Sequence, residues 1–365
     1  MRFLDRSLEQ LPEQTEAKRL LRAALAEGPA NAYVFHGPPG VGKRAAALAF
    51  ASELLGDPAR VEHLSHPDLY VLEPLGDQIR IDAIRELRRD LHMRPFEASR
   101  RVYLVIGADL MNEDAADALL KDLEEPPEYA VLILLATRPS KLPETIRSRC
   151  QLIPFKRLSR QAIELGLAST RTSLAPNALA AVSRLAGGRL DRAERLLDPA
   201  AAARRSELIE LARAVYRDEG FDPGGAARAV VDSAKRAGEE AAKSDAGKPD
   251  AEGTAREREQ RGRRIARGVE KEEILDALEL LTGWYRDLLA NSIGATGVVQ
   301  NADRADELIA DGAGIDPEGA MRALRALIDA RRSFELNVSA PLALEALFIQ
   351  LRRALRAAAV PSMQP

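Results

Sequence analysis

Residues 37–43 read Gly37-Pro38-Pro39-Gly40-Val41-Gly42-Lys43, and Arg44 follows. A glycine, four residues and then Gly-Lys is the spacing of a loop that wraps a phosphate. Glycines let the backbone curl until several N–H groups face one anion. The N-terminus of a following helix adds partial positive charge, and the lysine reaches the terminal phosphates. ATP or ADP are the ligands such a loop is shaped for. A loop that also hydrolyses continues with Ser or Thr, whose hydroxyl ligates Mg²⁺. Arg44 cannot ligate a cation, although its guanidinium could contact a phosphate. The other half of a hydrolytic site is an apolar strand that ends in acids, one for the metal and one to polarise water. Val102 to Ile106 is such a strand, but Ile106 and Gly107 stand where the acids would be. Asp109 comes two to three residues later and is expected to cap or stabilise the next helix. The two deficits predict a loop that can hold nucleotide through Lys43 and backbone amides and does not turn it over.

The remaining reactive side chains offer little chemistry. Cys150 is the single cysteine, which excludes a disulfide within the chain and any site built on two thiolates. No histidine is recognisable as its partner, so a buried, inert thiol is expected. His36, His63, His66 and His92 lack metal-ligand spacing, and no metal site is expected.

Elements that could position the phosphate loop are legible around it. Four apolar runs (Ala32 to Phe35, Leu69 to Leu72, Val102 to Ile106 and Val131 to Leu135) alternate with amphipathic helices. That pattern predicts a buried parallel sheet in an α/β domain over residues 1–157. Ile81, Ile84, Leu87 and Leu91 share one helix face, and a second helix runs from an Asn112 cap to Glu125, before Pro126-Pro127. From residue 158 the strand signals vanish. Helices over 159–170, 176–186 and 189–198 make a small helical domain, 158–199, punctuated by Gly187-Gly188. Residues 200–365 read as a third, all-helical domain. Within it, 235–272 is rich in charge and poor in large apolar residues, and is expected to be a flexible or partly helical insertion. Its arginines (Arg256, Arg258, Arg261, Arg263, Arg264 and Arg267) alternate with glutamates, the pattern of a solvated face. Beyond it, Ile274 to Leu289 and Leu342 to Leu355 each show an apolar helix face.

Composition bounds the class. The chain has 365 residues, 46% hydrophobic and 30% charged, with a net charge of −3. A globular chain of two or three domains follows, without the basic excess of a dedicated phosphate-backbone binder. Aromatics are only 4%, which favours helix over sheet-rich sandwiches. The start, MRFLDRSLEQ, places acids too early for a signal sequence. No apolar run approaches the roughly 20 residues of a membrane span. A cytoplasmic protein with no membrane partner is expected.

The chain resembles the delta-prime subunits of the bacterial DNA polymerase III clamp loader, in the AAA+ superfamily. The stretches that carry the likeness are Ala32 to Lys43 (AYVFHGPPGVGK), His66 to Leu72 (HPDLYVL), Ala115 to Pro127 (AADALLKDLEEPP) and Leu142 to Cys150 (LPETIRSRC), with Trp284 to Leu289 and Asn337 to Leu347 further on. The resemblance implies an ATPase-like α/β domain, a small helical lid and a helical collar. It implies a ring with gamma/tau-type ATPases and delta, which opens a sliding clamp and places it on primer–template DNA. Such a member has no required cofactor. It is a rigid stator in the polymerase holoenzyme, and it lends the arginine of its SRC motif, here Arg149, to a neighbour's ATP. By local sequence alone Arg149 is a surface arginine, with Arg147 nearby. The alternative within the same family is an active gamma/tau-type ATPase. Relatives often carry a four-cysteine zinc module before the HPDL stretch. No cysteine lies between Ala51 and His66, so zinc is not expected. Gly187-Gly188-Arg189-Leu190-Asp191-Arg192 aligns with the lid turn where ATPases carry a sensor arginine, and Asp191 takes that place. Thr137 stands where a polar sensor would follow a strand, and is equally explained as a strand terminator.

Overall fold

The computed structural model describes residues 8–170, 176–246, 255–334 and 338–356. The chain forms two compact units, Met1–Arg195 and Leu196–Pro365.

The first unit opens with α1 (Thr15–Glu27), β1 (Ala32–His36), α2 (Lys43–Leu55), α3 (Pro58–Glu62) and β2 (Leu69–Leu72). It continues with α4 (Ile81–Leu91), β3 (Arg101–Ile106), α5 (Glu113–Glu124), β4 (Ala130–Ala136), α6 (Glu144–Arg147) and β5 (Gln151–Pro154). All five strands are parallel, in the order β2-β3-β4-β1-β5. This is the parallel α/β sheet, with the phosphate loop after β1, that the sequence predicts. Strand residues alternate between two buried faces, which is why the strands read as continuous apolar runs. Tyr33, Phe35, Val102, Leu104, Val131 and Ile133 pack with residues of α1 and α2. Val34, Tyr103, Val105, Leu132 and Leu134 pack on the other side with α4 and α5. The loops after β1, β3 and β4 gather at the carboxyl edge of the sheet, where open α/β sheets place their ligands.

Three helices complete this part of the chain: α7 (Arg160–Thr170), α8 (Pro176–Leu185) and α9 (Leu190–Leu196). The Gly187-Gly188 turn is left-handed, with φ of 57° and 84°. A Cβ on Gly188 would lie 2.9 Å from the Leu158 carbonyl oxygen, so only glycine fits that approach. Leu158 N–H donates to Gly188 O at 3.0 Å and ties the turn to the strand exit.

The second unit is helical: α10 (Pro199–Arg217), α11 (Pro223–Ala246), α12 (Ala255–Ser292), α13 (Ala305–Gly312), α14 (Pro317–Ser333) and α15 (Ala340–Arg356). Its core joins Leu278, Leu281, Trp284, Tyr285 and Leu288 of α12 to Leu344, Leu347, Phe348 and Leu351 of α15. The insertion expected at 235–272 to be flexible or partly helical is helical in its described residues: α11 runs to Ala246 and α12 starts at Ala255. Residues 247–254 lie outside the described residues, as does Asn337. The buried stripe of α11 lies mostly ahead of residue 235, and within 235–272 it continues only through Gly238, so a periodicity scan finds no large side chains there. Ala227, Val230, Val231, Ala234 and Gly238 are buried. A Cβ on Gly238 would lie 2.5 Å from the Ala266 carbonyl oxygen, so the two helices approach at backbone distance. The arginines of this stretch pair locally, Arg261 with Asp245 at 2.7 Å and Arg263 with Glu259 at 2.6 Å.

Polar groups lock the second unit. Asp287 is fully buried, and its Oδ2 accepts from Gln300 N, Asn301 N and Asn301 Nδ2 at 2.9, 2.7 and 2.7 Å. Asn301 Oδ1 accepts in turn from Arg205 Nη2 at 2.7 Å. Removing the carboxylate strands three donors. Asp287→Ala is therefore expected to destabilise this unit by about 2–4 kcal/mol. Trp284, the single tryptophan, is buried in the same unit, so its fluorescence in a urea titration reports that transition alone. A loss below about 1 kcal/mol would mean that the stranded donors find water instead.

Candidate functional site

The site is built where β1 turns into α2. Gly37 has φ 143°, and a Cβ there would lie 2.1 Å from the Phe155 carbonyl oxygen, which only glycine avoids. Gly42 begins α2 with φ 97° and no side-chain cap, which leaves the first turn open to an anion. Val41 is buried below the loop, and its carbonyl accepts from Gln14 Nε2 at 3.2 Å. Pro38 and Pro39 stiffen the turn between the two glycines.

Lys43 is only 9% exposed. Its ammonium donates to Gly37 O at 2.6 Å and Pro38 O at 2.5 Å. Burial pushes its pKa down to about 8; Asp109 and Asp191 work against that shift, and Arg189 adds to it. His36, at the end of β1, is also held below its ordinary value, by burial and then by Lys43.

The residues that would complete a hydrolytic site point elsewhere. Arg44 pairs with Glu73 just beyond β2, at 2.7 Å, with both side chains about half exposed. Ile106 and Gly107 offer no oxygen for a metal. Asp109 corrects the sequence expectation. Asn112 caps α5, with Oδ1 accepting from Ala115 N at 3.1 Å. Asp109 instead accepts from Thr137 N at 3.0 Å and Arg138 N at 3.1 Å. It thereby ties the end of β3 to the end of β4, and both its oxygens are engaged. These residues do not fit the Mg²⁺ of a hydrolysing loop. Among the described residues no group of three or more His, Cys, Asp or Glu could hold a metal ion.

From the start of α9, Leu190 N donates to Gly40 O at 2.8 Å. Asp191 follows, and a Cβ on Gly40 would lie 1.6 Å from its Oδ1. Arg189 is 8% exposed and holds that carboxylate through Nε at 3.2 Å and Nη2 at 2.9 Å. The sequence places Asp191 just after the Gly187-Gly188 turn but carries no signal that it touches the phosphate loop. Gln14 was missed altogether. It is buried, accepts from Lys156 N at 3.0 Å and donates to Lys156 O at 2.7 Å, fastening the chain before α1 to the end of β5. A lone glutamine before a helix has no distinguishing pattern.

Arg149 lies apart from this cluster. It precedes β5, whose Gln151 pairs with Tyr33 in the parallel β1, so it sits at the amino edge of the sheet. The phosphate loop leaves the carboxyl edge. Arg149 is surface-exposed, and donates to Glu124 Oε1 at 2.5 Å and Thr145 O at 2.9 Å. Cys150 is half-buried beside it, and burial pushes its thiol up to about 12, which makes it a poor nucleophile. Thr137 is exposed at the end of β4, its N–H already given to Asp109.

Residues 13–159 match the sequence profile of the family described as DNA polymerase III, delta subunit. Over that stretch the chain is similar to this family. The matched residues hold the phosphate loop, Asp109 and Arg149. The delta-prime subunit of DNA polymerase III from Bacillus subtilis (strain 168) is 30% identical over 202 residues, 52% of this chain and 61% of that protein. The delta-prime subunit from Pseudomonas aeruginosa is 36% identical over 199 residues, 50% of this chain and 60% of that protein. The tau subunit of B. subtilis is 37% identical over 158 residues, 40% of this chain and 28% of that protein. The chain thus aligns with about three fifths of the length of the two delta-prime relatives. Among the described residues no helix is long and apolar enough to cross a membrane.

The buried ammonium gives a direct test. Lys43 should titrate near pH 8 in the folded chain, read by NMR of ¹³C-labelled lysine and assigned with Lys43→Met. Below that pH the lysine is charged in both folded and unfolded states, and the fold bears the full cost of desolvating it. Between about 8 and 10.5 the unfolded state holds more protons, so stability should rise with pH relative to Lys43→Met. A midpoint near the ordinary lysine value would contradict the burial.

Proposed function

We propose that the chain is a delta-prime-type clamp-loader subunit. It is a non-hydrolysing stator that assembles with gamma/tau-type ATPases and a delta subunit. Its second unit forms the collar of that ring, and α7 to α9 form the lid. The ring loads a sliding clamp onto primed DNA, and this chain supplies Arg149 to the ATP of a neighbouring subunit.

The observation that carries this reading is the separation of Arg149 from the chain's own phosphate loop. The run of β1 from Tyr33 to His36 alone spans about 10 Å at 3.3 Å per residue. An arginine at the opposite edge of the sheet is poorly placed to serve its own loop and well placed to face a neighbour. A guanidinium inserted in trans neutralises charge developing on a transferring phosphoryl group. Its pairing with Glu124 holds it at the surface in one orientation until a stronger anion competes. The loss of the metal ligands supports the same reading, because phosphoryl transfer needs the cation and the oriented water.

The identity with a tau subunit favours the second reading, an active gamma/tau-type ATPase. Arg44, Ile106 and Gly107 weigh against it. The two readings separate in steady-state ATPase assays with Mg²⁺. On the stator reading the purified chain shows no turnover above a Lys43→Ala control. In the complex reconstituted with its gamma/tau-type and delta partners, Arg149→Ala should lower DNA-stimulated ATP turnover and clamp loading at least about tenfold, with assembly unchanged. Turnover by the isolated chain that depends on Lys43 would install the ATPase reading, and unchanged loading by Arg149→Ala would remove the finger.

A further inference from the structure

We propose that Asp191 is a built-in occupant of the phosphate seat, and that this one lid carboxylate decides whether the loop takes a nucleotide. The inference deepens the proposed non-hydrolysing role and rests on the phosphate loop being a true anion seat.

Three observations converge. The carboxylate lies against the loop itself, so close that no side chain could be added at Gly40. It is locked there from both sides of its own residue. Leu190 N donates to Gly40 O at 2.8 Å, and Arg192 N donates to Asp191 Oδ1 at 2.7 Å. Arg189, itself buried, grips the carboxylate with two nitrogens. The third observation is the state of Lys43, whose ammonium is folded back onto the carbonyls of Gly37 and Pro38.

Charge counting points the same way. Lys43 and Arg189 bring two positive charges to the seat, and Asp191 and Asp109 bring two negative ones. Glu73 answers Arg44 outside it. Arg138 also lies beside Asp109, at 3.8 Å, so Asp191 is the carboxylate left at the loop. The oxygens of an entering diphosphate would face that carboxylate. Replacing Asp191 by a neutral group of the same shape removes one negative charge from beside Lys43 and the open first turn of α2. What remains is the electrostatic signature of an anion site. An arginine at this place in the lid would attract nucleotide, and the aspartate replaces it with an internal anion.

The test uses the full-length chain and two probes, ADP and inorganic pyrophosphate, by isothermal titration calorimetry without divalent metal. Asp191→Asn keeps the shape and an oxygen for Arg189 and Arg192 N. It should bind both probes at least about tenfold tighter than the wild type. Adding Lys43→Ala to Asp191→Asn should abolish the gain. Equal affinities for wild type and Asp191→Asn, or no binding by either, would overturn the proposal. Thermal melting of both proteins checks that the lid stays folded. A second measurement needs no variant. If the wild type is saturated with pyrophosphate, amide hydrogen exchange over residues 187–195 should accelerate as the lid is displaced. Bound pyrophosphate with unchanged protection would mean that both anions fit together, and would equally overturn it. These experiments read the isolated chain, whereas the stator and finger roles are read at Arg149 in the assembled complex, so either can fail alone.

Discussion

A buried ammonium at the first residue of a helix is the constraint around which the first unit is arranged. An uncompensated charge taken out of water costs several kcal/mol, so Lys43 must be answered from every side. The carbonyls of Gly37 and Pro38 answer it from the turn, Asp109 from the loop after β3, and Asp191 from the lid. Each of those groups is then held by something else. Asp109 is fixed by the backbone amides of Thr137 and Arg138, which sets the end of β4 against the end of β3. Asp191 is fixed by Arg189 and by the Gly40–Leu190 hydrogen bond, which sets the lid against the turn. One lysine thus draws the exits of three strands and the start of α9 into a single cluster.

That cluster explains why a loop without metal ligands keeps its lysine. Here the neutralising charges are internal, so the loop can tie sheet to lid whether or not a ligand is present. Arg44 fits the same logic. A second positive charge on the first turn of α2 would add to the repulsion at Lys43 if it faced inward, and its pairing with Glu73 carries it outward. Losing the strand-end acids has a matching effect, since more carboxylates beside Asp109 and Asp191 would over-neutralise the ammonium.

Four of the five strands were legible because each reads as an unbroken apolar run: β1, β3 and β4 are buried on both faces, and β2, a largely half-buried edge strand, is still apolar throughout. β5 was not. It is an edge strand that opens on Gln151, carries an exposed Leu152 and ends on Pro154, so it lacks both length and apolar continuity. The phosphate loop was legible because its chemistry is local, seven residues in a row whose spacing has one geometric solution. Its closure was not, because Asp191 arrives from about 150 positions away, and no local pattern says which aspartate of a helical lid touches a glycine in the turn. Asp109 shows the same limit in a sharper form. Sequence assigned a carboxylate just ahead of a helix a role on that helix, whereas Asn112 takes the cap and the tie of Asp109 to the end of β4 is a tertiary contact with no local pattern. In 235–272 the extent of helix was hard to read because of side-chain size. Helices that meet through Ala and Gly bury little area per residue, but they approach closely enough to gain dispersion contacts along the backbone.

The second unit solves a different problem. A bundle of helices with apolar stripes could slide in register, since leucine and alanine contacts tolerate a shift of one turn. Buried polar groups do not tolerate it, because a displaced donor or acceptor loses its partner in a low-dielectric interior. Asp287 pins the segment after α12 by accepting from the 300–301 backbone, and Arg205 extends that lock to α10 through Asn301 and Asp303. Asp311 forms a second lock, accepting from Tyr216 at 2.7 Å and Arg213 at 2.8 Å, while Trp284 Nε1 donates to the same Tyr216 hydroxyl at 3.2 Å. The Trp284 to Leu289 stretch, read in the sequence as part of an apolar helix face and as a likeness to a family, is therefore where both locks meet on one helix. Its apolar members fill the core, and its aspartate fixes the register in which they fill it.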